Sequence, residues 1–382
     1  MHYLVYICPV LINIMNGGMF FITAQRFAEA NAPKMFINGT MMTWALFYSV
    51  GSIIVGRFIN EARSARAICI ASLMLAGTMI GAILLPSLNM QFAWMMALGI
   101  AGALYCTAFQ VFMKCLENGE ANGIVRSTAL YTASWSLGLG LGPFIFGIMD
   151  WRISYGINAF FAVMIALGVM IIDAKCRKSR PASCNGAAQS CEAANAEALY
   201  SGRPDMVWLG WIGGLLGTFT ISILRPMVPA RAVELGFSRF NSAMIIAVVS
   251  YVQAILALLL LKSKLWMYNK TPLILSGLCG ILGLLGLSFL NNLPLLYLSS
   301  VLYGTFSLAF YFRFVFHSLV HPTKSGFYIS VNEALVGISS TVAPLCAGFA
   351  SKCLSIPEIF MCCAGIAAIS TIVQVFMAKD QH

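Results

Sequence analysis

Two segments decide how this chain folds: SWSLGLGLGPFIFGIM at residues 134–149 and LVGISSTVAPLCAGFA at residues 335–350. Each is apolar, rich in small residues, and carries one internal proline, Pro143 in the first and Pro344 in the second. At the same offset, Gly147 corresponds to Gly348. The chain is therefore predicted to contain one membrane-helix design twice, and a duplicated set of membrane helices is typical of secondary transporters.

The composition places most of the chain in lipid. Of the 382 residues, 60% are hydrophobic and only 9% are charged, whereas soluble globular chains carry about 25% charged residues. No water-soluble arrangement buries that much apolar surface. The net charge of +10 does not indicate a nucleic-acid partner, because the basic residues form short runs at helix ends, as in membrane proteins. The expected partners are the lipid bilayer and a small-molecule solute.

The hydrophobic pattern predicts an all-α membrane protein with twelve transmembrane helices in two pseudo-symmetric six-helix bundles. A membrane-spanning helix needs about 20 predominantly apolar residues. The predicted spans are 4–24, 36–57, 67–86, 90–115, 126–149, 151–173, 206–224, 240–261, 271–290, 294–319, 326–350 and 356–378. The polar stretch 174–205 is predicted to be a linker between an N-terminal bundle (1–173) and a C-terminal bundle (206–382).

The distribution of Lys and Arg predicts the orientation. An even number of spans places both termini on one side, and that side carries about twice as many basic residues as the other. We therefore expect cytoplasmic N- and C-termini and a cytosolic linker, in a plasma or bacterial inner membrane. The first apolar run lacks a basic leader and is predicted to remain as a helix. A monomer is expected to suffice for function.

Two motifs resemble those of the major facilitator superfamily. The first is the glycine-rich GxxxGP pattern of the fifth helix, formed by Gly138, Gly142, Pro143 and Gly147. The second is the loop GRFINEARSAR at residues 56–66. There Gly56 and Asn60 match the signature and Arg63 and Arg66 keep its basic character, but Arg63 replaces the usual second glycine. The resemblance implies that these residues and Pro344 serve gating, and the substitution at Arg63 weakens the expected lock.

The resemblance also implies that helices one, four, seven and ten line a central cavity. Polar residues on these helices are therefore candidates for substrate binding, since a solute path needs hydrogen-bonding groups. The candidates are Asn13, Asn16, Gln110, Thr218, Tyr303 and Tyr311.

Arg313 and Glu333 are the charged residues predicted to lie within the membrane. Each lies about 9–11 Å from the cytoplasmic end of its helix, on consecutive antiparallel helices, which makes a salt bridge between them possible. Charges facing lipid cost about 2.5–3.5 kcal/mol each, so the two side chains are expected to face one another or the cavity. Three interpretations stay open: Arg313 binds an anionic substrate while Glu333 carries a proton, the pair opens and closes with a gate, or the pair fixes helix packing.

Other residues suggest weaker hypotheses. Arg225 and Pro226 are predicted to close helix seven at its outer end, where the arginine reaches outward to water; the alternative is a role in a gate or in substrate entry. His317 and His321 share a spacing found in zinc sites, but no further ligand is apparent, so no metal is expected.

No catalytic or nucleotide-binding motif occurs in the sequence. The sequence therefore predicts a secondary active transporter rather than an enzyme. No cofactor is expected, and since no nucleotide-binding motif is found, a proton or another coupling ion is expected to drive transport. The expected substrate is a small organic solute, and Arg313 favours an anion such as a carboxylate. The alternatives are a proton-driven exporter of amphipathic compounds, a transporter-like receptor, and a membrane-embedded lipid enzyme.

Overall fold

The computed structural model describes residues 6–114, 123–179, 205–260, 266, 268–319 and 325–378. Within these ranges the chain forms twelve long helices, each apolar enough to cross a membrane. They are α1 (Ile7–Glu29), α2 (Lys34–Gly56), α3 (Glu61–Leu84), α4 (Leu88–Lys114), α5 (Gly123–Gly147), α6 (Trp151–Ser179), α7 (Val207–Glu234), α8 (Arg239–Leu260), α9 (Lys270–Phe289), α10 (Leu293–Leu319), α11 (Ser325–Ala350) and α12 (Ile356–Met377). The predicted all-helical fold class is confirmed.

Helix α7 is longer than predicted. It continues through Pro226 and Pro229 to Glu234 instead of ending at residue 224. Prolines are tolerated inside membrane helices, because neighbouring groups satisfy the freed backbone carbonyls. The helix ends at Gly236, which has φ +71° and whose N–H donates to the carbonyl of Val233. Glycine reaches this left-handed backbone conformation without steric cost.

The packing repeats between the two halves of the chain. In the first half α1 packs on α5, α2 on α4, and α3 on both α4 and α6; the second half repeats these contacts as α7 on α11, α8 on α10, and α9 on both α10 and α12. The halves meet where α2 packs on α11 and α5 packs on α8. Since α2 corresponds to α8 and α5 corresponds to α11, these two contacts are equivalent under the repeat. The duplication deduced from the sequence is thus present in the helix packing.

The glycines of the α5 motif lie where this helix approaches its neighbours most closely. A Cβ atom at Gly142 would lie 2.5 Å from the backbone nitrogen of Gly18 on α1, and one at Gly138 would collide with the carbonyl of Val10. On the other side of α5, a Cβ atom at Gly147 would lie 2.6 Å from the Cβ of Ala243 on α8. Small residues thus let α5 pack against both halves, while a gating role stays a prediction.

The loop before α3 is stabilised by a helix cap. The Asn60 side chain accepts a hydrogen bond from the backbone N–H of Arg63 at 3.1 Å, which satisfies one free donor of the first helical turn. Arg63 and Arg66 are exposed, and a Cβ atom at Gly56 would meet no atom within 4 Å. Asn60 therefore has a structural role, and the lock suggested for this loop stays a prediction.

Candidate functional site

A cavity lies between the two halves of the protein. The first half contributes Asn13, Asn16, Phe20, Trp44, Tyr48, Cys106, Tyr131, Trp135 and Leu139. The second half contributes Thr218, Ile221, Arg225, Gln253, Ser307, Phe310, Tyr311, Glu333, Val336 and Ser340. The cavity is therefore lined by α2, α5, α8 and α11 as well as by the four helices that the resemblance implied.

The cavity brings together five of the predicted substrate or coupling residues: Asn13, Asn16, Thr218, Tyr311 and Glu333. Tyr303 is not among its lining residues. It is fully buried within the second half, where its hydroxyl lies 2.8 Å from that of Thr220. The Gln110 side chain lies outside the described residues. Its predicted role stays a prediction.

Arg313 does not form the ion pair with Glu333 that the sequence allows. Its guanidinium is buried in the second half, away from the cavity lining, and donates to the carbonyl of Ala309 on its own helix at 3.4 Å. The prediction rested on equal depth in the membrane. Depth leaves the direction of each side chain around its helix undetermined, and here the two side chains point to different places.

Glu333 instead connects the two halves. The hydroxyl of Tyr48 on α2 donates to its Oε2 at 3.1 Å, and both side chains line the cavity. A hydrogen bond to a carboxylate contributes about 1.5–3 kcal/mol, more than a bond between neutral groups. The charge of Glu333 therefore bears directly on how strongly α2 and α11 hold together.

Arg225 lines the cavity, and the prediction that it reaches outward to water was wrong. It lies about two and a half turns before the end of α7. Its guanidinium carbon lies 5.9 Å from the ring centres of both Phe20 and Trp135. Among the residues that the structure describes, no carboxylate pairs with it. The signal that could have located Arg225 was the apolar run that continues beyond Pro226.

Ion pairs join the halves on the face opposite the chain termini, which we term the far face. Arg239 on α8 holds Glu29 of α1, with its Nη2 at 2.8 Å from Oε2, and Lys34 on α2 lies 2.6 Å from Glu234 on α7. Ser242 also donates to Gln25 at 3.0 Å. These contacts hold the two halves together on the far face.

His317 is buried beside the rings of Phe316 and Tyr268, and His321 lies outside the described residues. Within the part of the chain that is described, no group of three or more His, Cys, Asp or Glu residues could hold a metal ion.

The comparisons with known proteins agree with this architecture. The family model described as Major Facilitator Superfamily matches residues 7–318. The solved nucleoside transporter NupG is similar, with a TM-score of 0.67, 14% identity, and coverage of 99% of this chain and 98% of that one. The human organic anion transporter MFSD10 (TETRAN) gives a TM-score of 0.66 at 12% identity, covering 97% and 98%. No curated protein sequence matches. At such identities the structural likeness concerns the fold alone.

Proposed function

The chain belongs to the Major Facilitator Superfamily, and from this premise we propose that it carries a small organic anion across the membrane together with protons. It is a multi-pass membrane transporter of solutes rather than an enzyme. The proposed anion is a carboxylate bound by Arg225, and the proposed proton carrier is Glu333.

The observation that carries this proposal is the position of Arg225. Its charged group lines the cavity between two aromatic rings, and within the described residues it has no carboxylate partner. A cation inside a membrane protein is costly unless an anion or water compensates it. The planar guanidinium matches a carboxylate through two parallel hydrogen bonds. An anionic solute entering the cavity therefore gains a strong and directional contact.

Arg225 and Glu333 are separated in depth, which favours separate roles. Counted along their helices, Arg225 lies ~15 Å farther from the termini than Glu333. One small solute does not contact both charges at once. Glu333 is therefore available to bind a proton while Arg225 holds the solute.

Proton binding by Glu333 gives a means of coupling. Neutralising the carboxylate would weaken its bond to Tyr48 by about 1 kcal/mol, the difference between charged and neutral hydrogen bonds. Because this bond joins α2 to α11, protonation shifts the balance between arrangements of the two halves. Residues 1–173 and 206–382 are proposed to be the moving units, joined by the linker 174–205 and acting as a monomer with cytoplasmic termini in a plasma membrane.

Flux into proteoliposomes tests the anion site. A panel of radiolabelled organic carboxylates is offered with an inward proton gradient, and we expect saturable uptake of at least one of them. Arg225→Gln should abolish that uptake and Arg225→Lys should retain part of it. Arg231→Gln is the matched control, because it removes the same charge from the same helix at a site outside the cavity lining. Equal uptake by Arg225→Gln and Arg231→Gln would refute the assignment.

A second experiment tests the proton carrier. Glu333→Gln mimics the protonated side chain, so the variant should exchange labelled for unlabelled solute but should not concentrate solute when a proton gradient is imposed. If the variant still accumulates solute with the same pH dependence as the unmodified protein, Glu333 does not carry the proton.

A proton-driven exporter of amphipathic compounds is the second candidate. The observation that favours it is the aromatic surface of the cavity, which includes Phe20, Trp44, Trp135 and Phe310. Reversing the proton gradient distinguishes the two directions, because an antiporter accumulates solute only when the liposome interior is acidic.

A further inference from the structure

Stacked aromatic rings form the walls of the cavity on both sides of Arg225. Trp135 and Tyr311 lie parallel, at 7° with ring centres 5.4 Å apart, and join the two halves. Trp44 and Tyr48 also stack, at 22° and 5.1 Å. All four side chains line the cavity. Such surfaces offer flat π faces that aromatic solutes stack on or meet edge-on.

Two buried polar atoms in the same lining have no hydrogen-bond partner among the described residues: the Nε1–H of Trp44, which is a donor, and the Oδ1 of Asn16, which is an acceptor. Leaving such groups unpaired is unfavourable, and buried polar groups are paired in the great majority of cases. Together they suit a hydroxyl group, which can accept one hydrogen bond and donate another.

These features converge on Phe20. The ring of Trp44 meets the ring of Phe20 edge-on at 4.7 Å, and the Arg225 guanidinium lies 5.9 Å from the same ring. Asn16 precedes Phe20 by four residues on α1, so both occupy one face of that helix. A cation, an unpaired donor, an unpaired acceptor and aromatic faces thus surround one region of the cavity.

We infer that the substrate is a planar aromatic carboxylate that carries a hydroxyl group. This inference rests on the proposed function and specifies its substrate. The carboxylate binds Arg225, the ring lies against Phe20 and its neighbours, and the polar substituent accepts from Trp44 Nε1 and donates to Asn16 Oδ1.

The cavity suits other anions less well. Aliphatic dicarboxylates need a second cation, and Arg225 is the one basic residue among the described lining residues. An α-amino acid needs a carboxylate near Arg225 for its ammonium group, but Glu333 lies ~15 Å away in depth.

Binding of four probes tests the inference: 4-hydroxybenzoate, benzoate, cyclohexanecarboxylate and succinate. Affinity is measured on the purified full-length protein by calorimetry. We expect 4-hydroxybenzoate to bind at least about fivefold more tightly than benzoate, because its hydroxyl group adds two neutral hydrogen bonds. Benzoate should bind more tightly than cyclohexanecarboxylate, which has a similar size without a π face.

The variant Trp44→Phe removes the N–H and keeps an aromatic ring. Its ratio of affinities for 4-hydroxybenzoate and benzoate should fall, because one of the two hydrogen bonds to the hydroxyl group is lost. Trp208→Phe is the control, since Trp208 is exposed on α7 and outside the lining. A thermal unfolding midpoint close to that of the unmodified protein shows that Trp44→Phe is folded.

The outcomes separate this inference from the proposed function. Equal affinity for benzoate and cyclohexanecarboxylate, or an unchanged hydroxyl preference in Trp44→Phe, overturns the inference. If succinate binds and is transported but neither aromatic probe is, the inference is also overturned, while the proposed anion transport stands. If no carboxylate binds or moves, the proposed function itself fails.

Discussion

Replacing Gly142 by alanine is expected to destabilise the protein, because the added methyl group has no space between α5 and α1. The Cβ atom would lie 2.5 Å from both the backbone nitrogen of Gly18 and the carbonyl oxygen of Ile14. Ordinary contact begins at 3.4 Å, so the two helices would have to separate by roughly 0.9 Å. Both neighbours are backbone atoms, and no side-chain rotation relieves the overlap.

The size of the effect follows from two opposing terms. Overpacking a tight contact costs about 1–3 kcal/mol. Alanine regains up to ~1 kcal/mol through its higher helix propensity than glycine. We therefore expect Gly142→Ala to lower the free energy of unfolding by up to about 2 kcal/mol. Thermal unfolding in detergent, followed by tryptophan fluorescence, measures this as a lower midpoint.

Gly168→Ala on α6 is the matched control. A Cβ atom at Gly168 would meet no atom within 4 Å, so this variant gains helix propensity without a clash and should unfold at the same or a higher temperature. If Gly142→Ala unfolds no earlier than Gly168→Ala, α1 and α5 can separate freely, and close packing by the motif glycines is not what holds these helices together.

Two further predictions concern the far face and the loop before α3. Arg239→Glu should weaken the closure of the far face by about 1 kcal/mol or less, since the ion pair between Arg239 and Glu29 is partly exposed. The double variant that exchanges both charges should restore closure, which spin-label distances across that face measure. If the double variant shows no recovery, the ion pair does not have this role. Asn60→Ala should lower the free energy of unfolding by about 1 kcal/mol through loss of the helix cap, and the flux per folded molecule should stay unchanged. A lower flux at unchanged stability would instead assign Asn60 to gating.

The number of helices and their duplication could be predicted from the sequence because lipid imposes both length and apolar composition on a membrane span. The same constraint does not mark where a helix ends once it contains proline. For α7, Pro226 was interpreted as an end, although an apolar run continues to Pro229. Because of this wrong boundary, Arg225 was predicted at the membrane surface, whereas it lies at the cavity.

The site was harder to predict than the fold, because depth in the membrane and direction around the helix axis are different quantities. Sequence position gives depth at 1.5 Å per residue, and it placed Arg313 and Glu333 at equal depth. Direction depends on which neighbours each helix packs against. When the lipid and the protein interior are both apolar, a stripe of apolar residues does not show which side of the helix faces the interior.

The two copies of the proline helix differ in a way that bears on coupling. Where α5 packs on α1 through Gly138 and Gly142, the corresponding residues of α11 are Ser339 and Ala343, and Ser339 donates to the carbonyl of Leu215 on α7 at 2.5 Å. The contact between α7 and α11 thus runs through side chains instead of direct backbone contact. Arg225 and Glu333 lie on these same two helices, so the proposed solute and proton sites both belong to the second half. Phe20 and Trp135 of the first half lie beside Arg225, and Tyr48 donates to Glu333.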